Sequence, residues 1–190
     1  MVGENKGIMI VSACLAGFRC RYDYKFKSDK RVIKLVRQGK AIPICPEQLG
    51  GLPTPRVAAE RVGNKLPRSK SCISTVQGKP TRYSGPPAGG PEKFVSLSPS
   101  PPVGGSASRN KVLRKDGVDV TKEFSKGAKE ALRIAKLVGC KKAILKARSP
   151  SCGSGKVYDG TFSGTLIDGD GVCAELFKKN GIEVVTEEQI

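Results

Sequence analysis

Cys45 and Glu47 stand two residues apart in Ile44-Cys45-Pro46-Glu47-Gln48-Leu49-Gly50-Gly51, at the end of an apolar run. A thiolate is a nucleophile or a metal ligand, and a carboxylate whose burial raises its pKa is a device for moving protons. Two further cysteines repeat the placement: Cys14 closes the run Gly7 to Leu15, and Cys152 follows Ala143-Ile144-Leu145-Lys146 within Arg148-Ser149-Pro150-Ser151-Cys152-Gly153. Histidine is absent from all 190 residues. That excludes Ser/His and Cys/His nucleophilic pairs, His-bearing zinc sites and the facial iron triad together. Proton transfer falls to carboxylate, lysine, hydroxyl or water.

The elements that must position these groups read as alternating strands and helices. Gly7 to Leu15 and Ala41 to Ile44 are continuous apolar runs, as expected of strands buried on both faces of a parallel sheet. Between them lie a loop carrying Cys20 and a helix from about Asp29 to Gln38, stopped by Gly39. The handedness of strand-helix-strand units makes the two strands parallel, which brings Cys14 and Cys45 out at one edge, where open α/β sheets place their ligands. Pro46 ends the second strand, and Gly50-Gly51 permits a sharp turn or a close approach. A helix with Phe124, Ala128, Ala131, Leu132, Ala135 and Val138 at helical spacing follows a cap at Asp119 or Thr121. Cys140 to Lys146 then gives a third strand, and its end delivers Cys152. Lys156 to Thr165 reads as a glycine- and hydroxyl-rich loop over the site. Asp170 is expected to cap a helix of about Val172 to Asn180, and Ile182 to Thr186 to form the last strand. A calcium loop at Asp168 and Asp170 lacks the acidic ligand that should follow. The fold class is therefore α/β: a single Rossmann-like domain over 1–190, with a mostly parallel sheet flanked by helices and the site at the carboxyl edge of the strands.

Residues 63–110 are set apart as a Pro/Gly/Ser-rich, flexible insertion whose composition cannot offset its ordering entropy. The basic side chains from Arg61 to Lys115 face only Glu92. With a formal charge of +17, the chain suits polyanions, although a solvated lysine-rich surface gives the same count. Seven cysteines at irregular spacing form no disulfide framework. No run is long enough for a membrane span and no leader precedes the first strand, so a soluble cytoplasmic protein is expected. Cys72, Cys140 and Cys173 read as small buried residues. The sequence specifies no oligomeric state.

Three thiols converging on one crevice admit two solutions. A structural zinc needs a fourth ligand, which Cys20 could supply, giving a zinc-stabilised nucleic-acid-binding module. An iron-sulfur cluster with three protein ligands leaves one iron open, and Glu47 with the hydroxyls of Ser149 and Ser151 favours this reactive version. Lys146 and Arg148 could neutralise its charge or contact an anion.

Taken in order, Val11-Ser12-Ala13-Cys14-Leu15, Cys20-Arg21-Tyr22-Asp23, Cys45-Pro46-Glu47-Gln48-Leu49-Gly50-Gly51-Leu52-Pro53-Thr54-Pro55-Arg56, Asp119-Val120-Thr121, Arg148 to Gly153 and Tyr158 to Thr165 resemble the thiouracil desulfidase (TudS-like) family. The resemblance spans residues 8 to 62 and 112 to 186, and the stretch Gly63 to Asn110 departs from it. It implies a 4Fe-4S cluster held by Cys14, Cys45 and Cys152, with a non-protein ligand on the fourth iron. It also implies non-redox removal of sulfur from a thiolated pyrimidine such as 2-thiouracil. There the thiocarbonyl sulfur binds the open iron, water replaces it at carbon, and hydrosulfide leaves. Glu47 and Ser149 match the family's proton-transfer groups. Thiouridine in tRNA is the alternative substrate, with the basic segment as its phosphate grip.

Overall fold

The computed structural model describes residues 7–63 and 111–190. The expectation for residues 63–110 therefore falls, apart from Gly63, outside the described residues. In chain order the elements are β1 (Met9–Ser12), α1 (Lys30–Arg37), β2 (Ala41–Ile44), α2 (Pro46–Leu49), β3 (Ala59–Val62), β4 (Lys111–Arg114), α3 (Thr121–Leu137), β5 (Lys142–Leu145), β6 (Lys156–Tyr158), β7 (Leu166–Asp168), α4 (Val172–Lys179) and β8 (Glu183–Thr186).

The four apolar runs pair as a parallel sheet in the order β2-β1-β5-β8. Side-chain alternation divides it cleanly. Ile10, Ile44, Ala143 and Leu145 pack against Ala128, Ala131 and Ala135 of α3 and Cys173, Ala174 and Phe177 of α4. Val11, Ala41 and Ile144 meet Val32 of α1 on the other face. Asp29 caps α1, accepting from the Arg31 and Val32 amides, and Gly39 leaves the helix at φ +67°. Both ends are as the sequence specifies.

Of the glycine pair after Cys45, Gly51 turns the chain at φ +96° and Gly50 serves helix packing. A Cβ on Gly50 would lie 2.1 Å from the Glu123 carbonyl oxygen of α3, and one on Gly127 would lie 1.8 Å from the Pro46 carbonyl oxygen. Backbone meets backbone here, and the short helix carrying Glu47 is seated directly on α3. Gly127→Ala is a sharp test, because helix propensity alone favours alanine by about 1 kcal/mol. Overpacking costs about 1–3 kcal/mol and should win. A melting temperature lowered by several degrees is expected; an unchanged or raised one would show that α2 moves off α3 freely.

Two antiparallel ribbons depart from the sequence reading. β3 pairs with β4 across the segment set apart as an insertion, and β6 pairs with β7 where a loop was expected. Asp170 does not cap α4, whose N-cap is Gly171. The Val172 and Cys173 amides donate instead to the Pro150 and Ser151 carbonyls at 2.9 and 2.8 Å. With those orphan donors already satisfied, Asp170 accepts from the Gly155 amide and pairs with Lys178. Among the described residues no helix is long and apolar enough to cross a membrane.

Candidate active site

A cavity of about 810 Å³ opens beyond the carboxyl ends of β1, β2 and β5. Cys14, Cys45 and Cys152 all line it, and so do Glu47, Ser149 and Cys20. Cys14 sits two residues past β1, and Cys45 is the last extended residue before Pro46 opens α2. Cys152 comes from the turn that packs under α4, where a Cβ on Gly171 would lie 2.5 Å from the Ser151 carbonyl. The Cys152 backbone is thereby held from below.

Cys14, Cys20 and Cys152 are buried and Cys45 is half-buried. The Cys152 thiol is pushed up to about 12 by removal from water, with the Ser12 hydroxyl working the other way. Hydrogen bonding from Cys20 and then burial drive the Cys45 thiol well above the usual range. Cys20 is held at about 11, chiefly by its hydrogen bond with Cys14. The protein's own groups thus leave Cys20, Cys45 and Cys152 protonated at neutral pH; a bound cation would reverse this, since coordination deprotonates a thiol outright. Ser151 Oγ is buried without a hydrogen-bond partner among the described residues. As the side chains stand, no three Cys, Asp or Glu of the described residues gather around a single ion.

Glu47 is ion-paired. Arg56, itself buried, donates to Glu47 Oε2 from Nη2 at 2.5 Å and Nε at 2.8 Å, and to the Cys20 carbonyl at 3.1 Å. Both bonds fall on Oε2, which leaves Oε1 without a partner among the described residues. The sequence suggested a carboxylate governed by burial alone; the guanidinium nine residues on is what fixes it. Ser149 Oγ accepts the Ser151 and Cys152 amides at 3.2 and 3.1 Å. Its acceptor capacity is used by the turn, so toward the cavity this hydroxyl is a donor.

Reasoning from sequence missed Arg56 and Glu60. Glu60 is buried in β3 and accepts the Gly160 and Phe162 amides at 3.0 Å each, pinning the 159–164 loop against the cavity, which Tyr158, Phe162 and Gly164 also line. Arg56 was visible only as a member of the Pro53-Thr54-Pro55-Arg56 run, and nothing in its spacing ties it to Glu47. Lys146 and Arg148, considered as free cations, are paired with Glu187 and Glu188. Arg61, counted with the basic segment, is buried and bonds to Glu175 and the Asp170 carbonyl. The cavity wall carries six basic and five acidic side chains, so the chain's positive excess is not concentrated there.

Parallel strands that deliver three cysteines into one cavity, beside an arginine-held carboxylate, define an α/β protein with a thiol-lined site at the carboxyl edge of its sheet. The chain belongs to the 2-thiouracil desulfurase family, whose model matches residues 9–84 and 91–189. The match includes most of the stretch set apart as an insertion. The uncharacterized protein YbbK of Bacillus subtilis (strain 168) is 36% identical over 183 residues, 96% of this chain and 97% of that protein. The solved structure of TudS, a [4Fe-4S]-dependent thiouracil desulfidase, is similar at a TM-score of 0.68 and 34% identity, covering 97% of this chain and 93% of that one.

Proposed function

We propose that this protein is a 4Fe-4S-dependent desulfidase that replaces the thiocarbonyl sulfur of a thiolated pyrimidine, 2-thiouracil or a close relative, with oxygen from water. The observation that carries the reading is the meeting of Cys14, Cys45 and Cys152, from three different strand ends, in one cavity with Glu47. The donor set fits the cofactor. Soft sulfur ligands select iron-sulfur groups or zinc; a zinc site would draw four donors onto one point, and no such gathering is present among the described residues. A multi-iron cluster takes its thiolates on separate irons.

When bound, the cluster supplies a thiophilic Lewis acid at the iron that no cysteine ligates. The chain's own groups do the rest. Water adds at the thiocarbonyl carbon, C=S becomes C=O, and sulfur departs as hydrosulfide, so no electron changes hands. Glu47 Oε1 takes the proton of the attacking water, while Arg56 keeps the other carboxylate oxygen fixed. Ser149 donates to the substrate or to that water and orients it. The 159–164 loop, pinned by Glu60, covers one side. The free thiols fit a reducing compartment, which we take to be the cytoplasm.

Anaerobic reconstitution with iron and sulfide tests the reading. Bound iron, acid-labile sulfide and a broad absorbance near about 400 nm, where thiolate-to-iron charge transfer falls, are expected, together with sulfide release from 2-thiouracil without added reductant. Tightly bound zinc with no acid-labile sulfide would defeat it and restore the four-cysteine binding module.

A further inference from the structure

The loop from β1 to α1 carries an aromatic and basic surface that the desulfidase chemistry does not use. Phe18, Tyr22, Tyr24 and Phe26 are 54%, 44%, 49% and 59% exposed, and they are the exposed aromatic side chains of the described residues. All lie within nine residues, alternating with Arg19, Arg21, Lys25 and Lys27. The Arg19 guanidinium stands 4.3 Å from the Phe26 ring centre and 5.3 Å from that of Tyr24, holding both rings in place at the surface. The loop's acids are spent locally: Asp23 on Arg21 at 2.9 Å and Asp29 on Arg31 at 2.6 Å. Among the described residues no carboxylate pairs with Arg19, Lys25 or Lys27. The surface also adjoins the cavity, since Arg21, Tyr22, Lys27 and Ser28 form part of its wall.

Rings laid open between unpaired cations are the means by which proteins hold single-stranded nucleic acid, bases stacking on rings and phosphates meeting the cations. We infer that residues 18–27 are a stacking platform for single-stranded RNA, and that the thiolated pyrimidine reaches the cavity as part of such a strand. This rests on the desulfidase reading for its substrate. Charge selects the occupant. A second copy of this chain would bring the same unpaired cations face to face, and the chain's own residues 64–110 hold one acidic residue against seven basic ones. A polyanion meets no such repulsion. The position at the cavity rim, where a pyrimidine must enter, favours RNA over an anionic membrane.

Fluorescence anisotropy of the reconstituted protein with a fluorescein-labelled, unmodified 12-nucleotide oligouridine is the test. Binding should weaken steeply between 50 and 200 mM salt. Phe18→Ala/Phe26→Ala should lower affinity roughly 10-fold or more at fixed salt, while sulfide release from free 2-thiouracil and the melting temperature stay as in the wild type. Lys25→Ala should reduce the log-log salt slope by about 0.7. Wild-type protein that does not bind the strand, or a ring variant that binds it as tightly, overturns the inference, as do rings needed for anionic vesicles and not for RNA. The probe carries no sulfur. RNA binding through the rings without sulfide release from any thiopyrimidine would therefore sink the desulfidase reading and the thiolated substrate with it while leaving the platform, and sulfide release without ring-dependent binding would sink this inference alone.

Discussion

Cys45→Ala protein, reconstituted anaerobically, is expected to come off a desalting column colourless, with neither bound iron nor acid-labile sulfide, and to release no sulfide from 2-thiouracil. Cys140→Ala should retain all three. The contrast follows from where the two thiols stand. Cys140 is buried against the sheet, its Sγ donating to the Lys142 carbonyl at 3.2 Å, away from the cavity wall. Cys45 is presented to the cavity by a backbone fixed on two sides: β2 pairs in register with β1 up to Ile44, and Pro46 is pressed against Gly127 of α3. Cys14→Ala and Cys152→Ala should behave like Cys45→Ala. Cys20→Ala is the informative neighbour, because Cys20 lines the same cavity as Cys14 and Cys45 and its carbonyl accepts from Cys45 Sγ at 3.9 Å. It should keep the cluster. Iron lost in Cys20→Ala and kept in one of the other three would transfer the ligand role to Cys20.

The strands that bear the cysteines were legible because each is a short apolar run buried on both faces, a pattern that few other structures share. α1 was legible by its cap and α3 by its spacing, although the N-cap of α3 is Val120 and not Asp119 or Thr121, and no side chain caps it. β3 was not, and Glu60 and Arg61 are the reason. Both charges are buried, one satisfied by the amides of Gly160 and Phe162, the other by Glu175 and the Asp170 carbonyl. Their partners lie about a hundred residues away, so the local sequence shows charge where the fold has an interior. β6 and β7 escaped for the opposite cause: Val157 is the one buried residue of their six. At the site, the sequence carried Glu47 and Ser149 into view but not what holds them. Arg56 lies on no shared helix face or strand register with Glu47, and the amides that occupy Ser149 Oγ belong to a turn whose shape depends on α4 beneath it.

Glu47→Gln should keep its full complement of iron and sulfide while turnover falls about 10²–10⁴-fold, the usual worth of a positioned proton acceptor. The amide is nearly isosteric, and its carbonyl oxygen can still accept from Arg56, so the site should keep its shape and substrate affinity should change little. Arg56→Lys should sit between the two. A lysine cannot reproduce the fork that reaches Glu47 Oε2 and the Cys20 carbonyl together, so the carboxylate keeps its chemistry and loses its aim. If Glu47→Gln turned over at the wild-type rate, the proton would have to go to another carboxylate of the cavity wall. Asp29 is committed to Arg31, Glu187 to Lys146 and Glu188 to Arg148, which leaves Glu60. Its Oε2 already holds two amides, so Glu60→Ala should release the 159–164 loop and weaken substrate binding before it affects proton transfer. A rise in KM with kcat retained would separate that positioning role from the one assigned to Glu47.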